Sequence, residues 1–308
     1  MLSIIRSSQK TTLFFVAGLI LLFTAMPVLS AASGDGDAKK SFIWEVRSPK
    51  GMCYVLGSIH MLKKEFYPLP DAMEKAFEKS EVVVVEADIT DQEAMGKVAM
   101  LTLQKGMYQG DDTLKTKISE KTYKLLEEYM KKNDMSMDSF QKFRPWLLAL
   151  TLTSMSMVKR GFDPNLGIDK YFLDQAKDKK EIKELEGMDF QVDLLSGFSE
   201  EEAEKFLFYT LEEVGAETEE LDEMVTAWSN GDPEAMAELV TKTASEYPAL
   251  KGVYKQLIEG RNFGMADKVE AYLATGKIHL VISGAAHLVG ENGILKLLEK
   301  KGYKLKQL

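Results

Sequence analysis

The chain carries only three histidines, and two of them sit in the same local frame. Tyr54-Val55-Leu56 leads into Gly57-Ser58-Ile59-His60, and Leu280-Val281-Ile282 leads through Ser283 into Gly284-Ala285-Ala286-His287. Each is an apolar, strand-like run followed by Gly-x-x-His. In an open α/β sheet, ligands bind at the carboxyl ends of strands, and glycine there permits a sharp turn. A histidine three residues further on is placed over that edge, where imidazole can ligate a metal, take a proton or donate one. Glu86 follows the run Val82–Val85, and a carboxylate leaving a buried strand belongs at the same edge. One such motif says little; two of three histidines in matching strand-end turns, far apart in the chain, point to a built site. His279 opens the strand that ends near Ser283, about 13 Å from its far end at some 3.3 Å per residue, and reads as structural.

The elements that must position these groups alternate between strand and helix at the two ends of the chain. Phe42–Val46 and Met52–Gly57 read as strands joined by the turn Ser48-Pro49-Lys50-Gly51. Asp71 can cap a helix to about Lys79. The four valines read as a strand buried on both faces. Ile278–Ser283 and Tyr303–Gln307 read as strands flanking a helix Gly290–Lys300. Between about 91 and 276 the apolar spacing is helical, with Pro145 placed to kink or divide Ser136–Val158 and Ile182–Leu185 as a short strand. The expected fold is α/β: a mixed central sheet built from the N- and C-terminal segments, with a large helical insert, as one domain over 41–308.

Arg6 and Lys10 precede an apolar run from Leu13 to Leu29, followed by Ser30, Ala31 and Ala32. That is the pattern of a secretory signal peptide, so residues 1–32 are expected to be removed, 33–40 to form a flexible leader, and the product to be exported. A Gram-negative host would place it in the periplasm, with no stable membrane span after cleavage. A net charge of −9 lacks the basic footprint of a nucleic-acid binder. The single cysteine, Cys53, excludes an intramolecular disulfide framework and reads as a small buried residue. Ser156-Met157-Val158-Lys159 matches the SxxK pattern of serine hydrolases without its companion KTG. The Met-x-Met pairs at 135–137 and 155–157 read as core filler rather than copper ligands. Acidic runs such as Glu200-Glu201-Glu202 fit a solvated helix face. P-loop, GxGxxG and HExxH motifs are absent from the sequence.

In order along the chain, Trp44, Tyr54–His60, Phe66-Tyr67-Pro68-Leu69, Val84-Val85-Glu86-Ala87-Asp88, Phe143-Arg144-Pro145-Trp146, Gly167-Ile168-Asp169, Glu184-Leu185-Glu186 with Gln191, Glu259-Gly260-Arg261-Asn262 and Gly284–Gly290 resemble the segments of the TraB/GumN family. That family is related to the Tiki proteases and, more distantly, to erythromycin esterase and ChaN-like proteins. Ser58 stands where threonine is commoner, and Gly260 where the family often has a charged residue. The resemblance to Tiki-like members implies a divalent-metal-dependent peptidase whose signature falls on His60, His287 and Glu86. The esterase branch implies instead a histidine that activates water without a metal.

The leading expectation is therefore an exported hydrolase acting on a peptide or small molecule. His60, His287 and Glu86 would hold one divalent ion, with zinc, manganese and cobalt all suited to such ligands. Glu86 would be third ligand or base. The alternatives are a metal-independent hydrolase with His60 as general base and Arg261 stabilising the oxyanion, and a non-enzymatic exported protein binding a peptide, metal or haem. Asp169, Glu186 and Asn262 are supporting candidates, either extending the site or anchoring helices. All readings of the site require His60, Glu86 and His287 to converge within roughly 6–8 Å in a metal-free protein.

Overall fold

A computed structural model describes residues 40–216, 220–246 and 248–308; the expected signal peptide and residues 33–39 of the leader lie outside them. One six-stranded mixed sheet organises the chain. Its strands are β1 (Ile43–Arg47), β2 (Met52–Ser58), β3 (Val82–Val85), β4 (Glu181–Glu184), β5 (His279–Gly284) and β6 (Lys304–Gln307), in spatial order β4-β3-β5-β2-β1-β6. The four strands β4, β3, β5 and β2 are parallel, while β1 runs antiparallel to both β2 and β6.

The sequence pattern explains this order. All four valines of β3 and all six residues of β5 are buried. Because successive side chains point to opposite faces, both faces there must be covered by helices. The edge strands β4 (Glu-Ile-Lys-Glu) and β6 (Lys-Leu-Lys-Gln) carry the charges that blunt an open edge. Helix Asp71–Lys79 buries Met73, Ala76 and Phe77, and Phe77 meets Phe172 of helix Ile168–Ala176 at 5.3 Å between ring centroids. Helix Gly260–Leu273 buries Met265, Ala266, Val269 and Leu273 in the same core. Register does the positioning: Ser58 pairs with Gly284 and Val84 with Val281, so β2, β5 and β3 leave the sheet at one edge.

The helical insert builds its own core from Leu126, Met130, Leu148, Leu152, Leu207 and Leu211. It is not purely helical, since β4 comes from within it and extends the sheet beside β3. Pro145 does not kink a longer helix. It stands at the first position of helix Pro145–Lys159, where its missing N–H costs nothing. Asp71 falls inside its helix, with Pro70 at the cap position. The helix read as Gly290–Lys300 begins at Ile294, and Ala285–Leu288 forms a separate short turn that carries His287. Among the described residues no helix is long and apolar enough to cross a membrane.

Candidate active site

His60, Glu86 and His287 converge over Gly284. A Cβ built on Gly284 would lie 3.3 Å from His60 Nε2, 3.4 Å from Glu86 Oε1 and 3.5 Å from His287 Cδ2. His287 Nε2 stands 3.8 Å from Glu86 Oε1. The absence of a side chain at the end of β5 thus leaves the space into which three groups from three parallel strands point.

Each imidazole is held from behind. His60 Nδ1 lies 2.7 Å from Asp169 Oδ2, and the other oxygen of this buried carboxylate accepts from Ser58 Oγ at 3.0 Å. His287 Nδ1 lies 2.7 Å from Asn262 Oδ1. The two rings differ in environment: the His60 side chain is 62% exposed, whereas that of His287 is 5% exposed. The Asp169 charge raises the His60 pKa to about 9, so the ring favours the imidazolium near neutral pH; where the ring meets water, solvent screens part of that field. Burial pulls His287 the other way, down to about 4, leaving it neutral.

Glu86 is buried and fully engaged. Oε1 accepts from Ser283 Oγ at 2.9 Å and from the Gly284 N–H at 2.7 Å. Oε2 accepts from Arg261 Nη2 at 2.6 Å and from Gln191 Nε2 at 3.2 Å. Burial opposes its charge, but the fields of His287, His60 and Arg261 with the Gly284 N–H hold the pKa down to about 2. Since His287 is neutral near pH 7, the His60 imidazolium, Arg261 and the neutral donors sustain the carboxylate there. Arg261 is shared: Nε and Nη2 also grip Glu186 at 2.6–3.1 Å, and Nη1 donates to the Leu257 carbonyl at 2.9 Å. The guanidinium is thereby committed to two carboxylates and a carbonyl, which makes it the clamp that permits two buried acids side by side.

Every site residue expected from the sequence, Asp169, Glu186 and Asn262 included, falls in this network. His279 does not: it is buried at the opposite end of β5, stacked on Tyr272 at 4.8 Å and paired in register with Cys53. Ser283 and Gln191 emerge as direct partners of Glu86, and Asn292 as a partner of Asn262. Ser283 had a signal in its position, one residue before the strand-end glycine; a loop asparagine has none. Ser156 and Lys159 line a separate cavity of about 1040 Å³ with Met135, Met155, Met157 and Met224, and that cavity shares no lining residue with the histidine cleft. Lys159 there donates to Asn133.

The donor chemistry suits a divalent ion in one respect and resists it in another. Two imidazoles with acceptors behind Nδ1 turn their other edges inward, His60 Nε2 and His287 Cδ2 over Gly284 and His287 Nε2 toward Glu86, as ligating histidines are held from behind. Glu86, however, already takes four donors, one of them a cation, so ligation would require it to release some of them. Among the described residues, no set of three or more His, Cys, Asp or Glu side chains stands in metal-holding geometry.

The fold and cleft define an α/β protein with a histidine–carboxylate site at the carboxyl ends of parallel strands. The model of the TraB/PrgY/gumN family matches residues 42–307, and the chain belongs to that family. It is 27% identical over 246 residues to YbaP of Escherichia coli (strain K12), covering 80% of this chain and 87% of the relative. It is 20% identical over 273 residues to a protein of Treponema pallidum (strain Nichols), covering 85% and 81%. Neither relative is named for an activity. No solved structure matches the chain.

Proposed function

We propose that this chain is an exported hydrolase, a divalent-metal-dependent peptidase, whose reaction takes place over Gly284. The observation that carries the reading is the convergence of His60 Nε2, Glu86 Oε1 and the His287 ring on one point, with Nδ1 of each histidine tied back. His60 and His287 are the ligands, with Glu86 beside them. A bound ion would polarise the scissile carbonyl and acidify a water. The protein's own contribution follows from its electrostatics. His60 faces solvent and is the ring that substrate meets first; it must shed its proton to ligate, and Asp169 then keeps Nδ1 protonated and the ring oriented. Glu86, with its low pKa, is a weak base and a strong source of negative field, which suits it to holding positive charge. Helices carrying Gln191 and Arg261 wall the cleft on the Glu86 side. The pattern of residues 1–32 supports export.

A metal-independent hydrolase is the second reading, favoured by the Arg261–Glu86 contact, which already supplies a cation to the carboxylate. A resting imidazolium at His60 suits an acid better than a base in that scheme, leaving neutral His287 as proton acceptor.

The deciding experiment is metal analysis of the purified chain with peptidase assays before and after exhaustive chelation. About one ion per chain, lost in His60→Ala/His287→Ala, and activity that returns only with metal are expected. Activity that survives chelation selects the second reading; an ion retained by the double variant removes the first.

A further inference from the structure

We propose that Asn262 is a positioning residue that locks His287 in the tautomer with its proton on Nδ1, so that Nε2 faces the cleft as a bare lone pair. An asparagine amide has one accepting oxygen and one donating nitrogen, and which is which must be read from their partners. Asn262 Nδ2 lies 2.8 Å from the main-chain carbonyl of Asn292, a group that can only accept. The nitrogen is therefore on that side, and Oδ1 is the atom 2.7 Å from His287 Nδ1. An amide oxygen cannot donate, so the hydrogen in that bond belongs to Nδ1.

The lock matters because a competitor stands on the other side of the ring. Glu86 Oε1 lies 3.8 Å from His287 Nε2, beyond hydrogen-bond length but close enough to claim a proton after a small shift. With no acceptor at Nδ1, the neutral ring would place its hydrogen on Nε2 and point it at Glu86. That would remove the lone pair on which either hydrolytic reading depends. Asn262 is placed to resist this: it is 1% exposed on helix Gly260–Leu273, and Asn292 returns a bond from its own side chain to Glu259 Oε1 at 3.1 Å, tying the carbonyl's loop to the start of the helix.

The residue type carries the same logic. Behind solvent-facing His60 stands a carboxylate, Asp169, which stabilises an imidazolium. Behind buried His287 stands a neutral amide, which directs the proton without adding a second negative charge beside Glu86. The inference uses the cleft of the proposed reaction, but its readout requires no turnover.

The test is long-range proton–nitrogen NMR of the full chain labelled with 15N-histidine, treated with chelator, near pH 7.5. His60→Gln and His279→Gln variants assign the three rings. His287 is expected to show a protonated, pyrrole-type Nδ1 and a pyridine-type Nε2. Asn262→Asp, which keeps the acceptor, should keep Nδ1 protonated, whereas the near-isosteric Asn262→Leu should move the proton to Nε2. A wild-type spectrum with the proton on Nε2 overturns the proposal, as does a folded Asn262→Leu with unchanged tautomer. Should the leucine variant not fold, the wild-type spectrum still decides, because a neutral ring with its proton on Nε2 is incompatible with the lock. Absence of hydrolysis alongside the expected spectra would remove the reaction and leave the lock standing.

Discussion

Arg261 and Glu86, 175 residues apart, meet at 2.6 Å inside the protein, and Arg261 grips Glu186 with the same Nη2 atom. One guanidinium thus neutralises part of the charge on two buried acids. Arg261→Met should leave both without their counter-ion and cost roughly 3–5 kcal/mol in urea denaturation. Arg261→Lys should recover only part of that, since a point charge cannot reproduce the fork. An unchanged unfolding midpoint in Arg261→Met would show that the clamp contributes nothing to stability.

Gly284→Ala separates the cleft from the fold. The backbone there, at φ −49° and ψ 135°, accepts an L-residue, and the Gly284 N–H to Glu86 is retained. The new methyl would instead occupy the point shared by His60, Glu86 and His287. Stability should change by less than about 1 kcal/mol, while activity and any ion binding are lost. Full activity in the alanine variant would mean that the chemistry happens elsewhere.

Acid should destabilise the metal-free protein in two stages. His287 is held at about 4 against an ordinary 6.5, so below pH 6.5 the unfolded chain takes a proton that the folded chain refuses. Its stabilising contribution is present above that range and is lost as pH falls toward 4, on the order of 3 kcal/mol for this ring. Glu86, held at about 2 against 4.5, adds a loss of the same sign below pH 4.5. Melting temperature measured from pH 8 to 3 should decline from about 6.5 downward, and His287→Gln should remove the first stage. A flat profile to pH 4.5 in the unmutated chain contradicts a buried neutral His287.

Asp169→Asn tests the brace behind His60. With the carboxylate charge removed, the His60 pKa should fall back toward the ordinary imidazole value, visible by NMR titration. Turnover should fall by about 10–100-fold, as for other partners of functional histidines. A His60 titration identical in both proteins would deny Asp169 its electrostatic role.

His60, Glu86 and His287 were legible because strand-end position is encoded locally: an apolar run, a glycine, and a polar residue at fixed offset. Arg261, Asp169, Glu186 and Asn262 could be named only through family resemblance, since helices carry no local mark of which residue faces a distant strand. Asn292 was invisible for a stronger reason: its main-chain carbonyl makes the contact, and any residue type supplies one. The strand β4 was suggested by Ile182–Leu185, but its place beside β3 depends on tertiary packing. Of the two readings for Pro145, it divides Ser136–Val158 rather than kinking it, because the same residue that breaks a helix internally begins one at its first position.

The placement of β5 between β3 and β2 has a consequence for biosynthesis. Glu86 and Gly284 are 198 residues apart, and β5 begins at His279 of a 308-residue chain. As the chain leaves the ribosome, β2 and β3 emerge early, yet the strand that lies between them follows only after the whole helical insert. Until then two apolar strands have no common neighbour and no cleft exists. A chain that lacks β5 therefore lacks the cleft, and synthesis of β5 is the event that brings His60, Glu86 and His287 together.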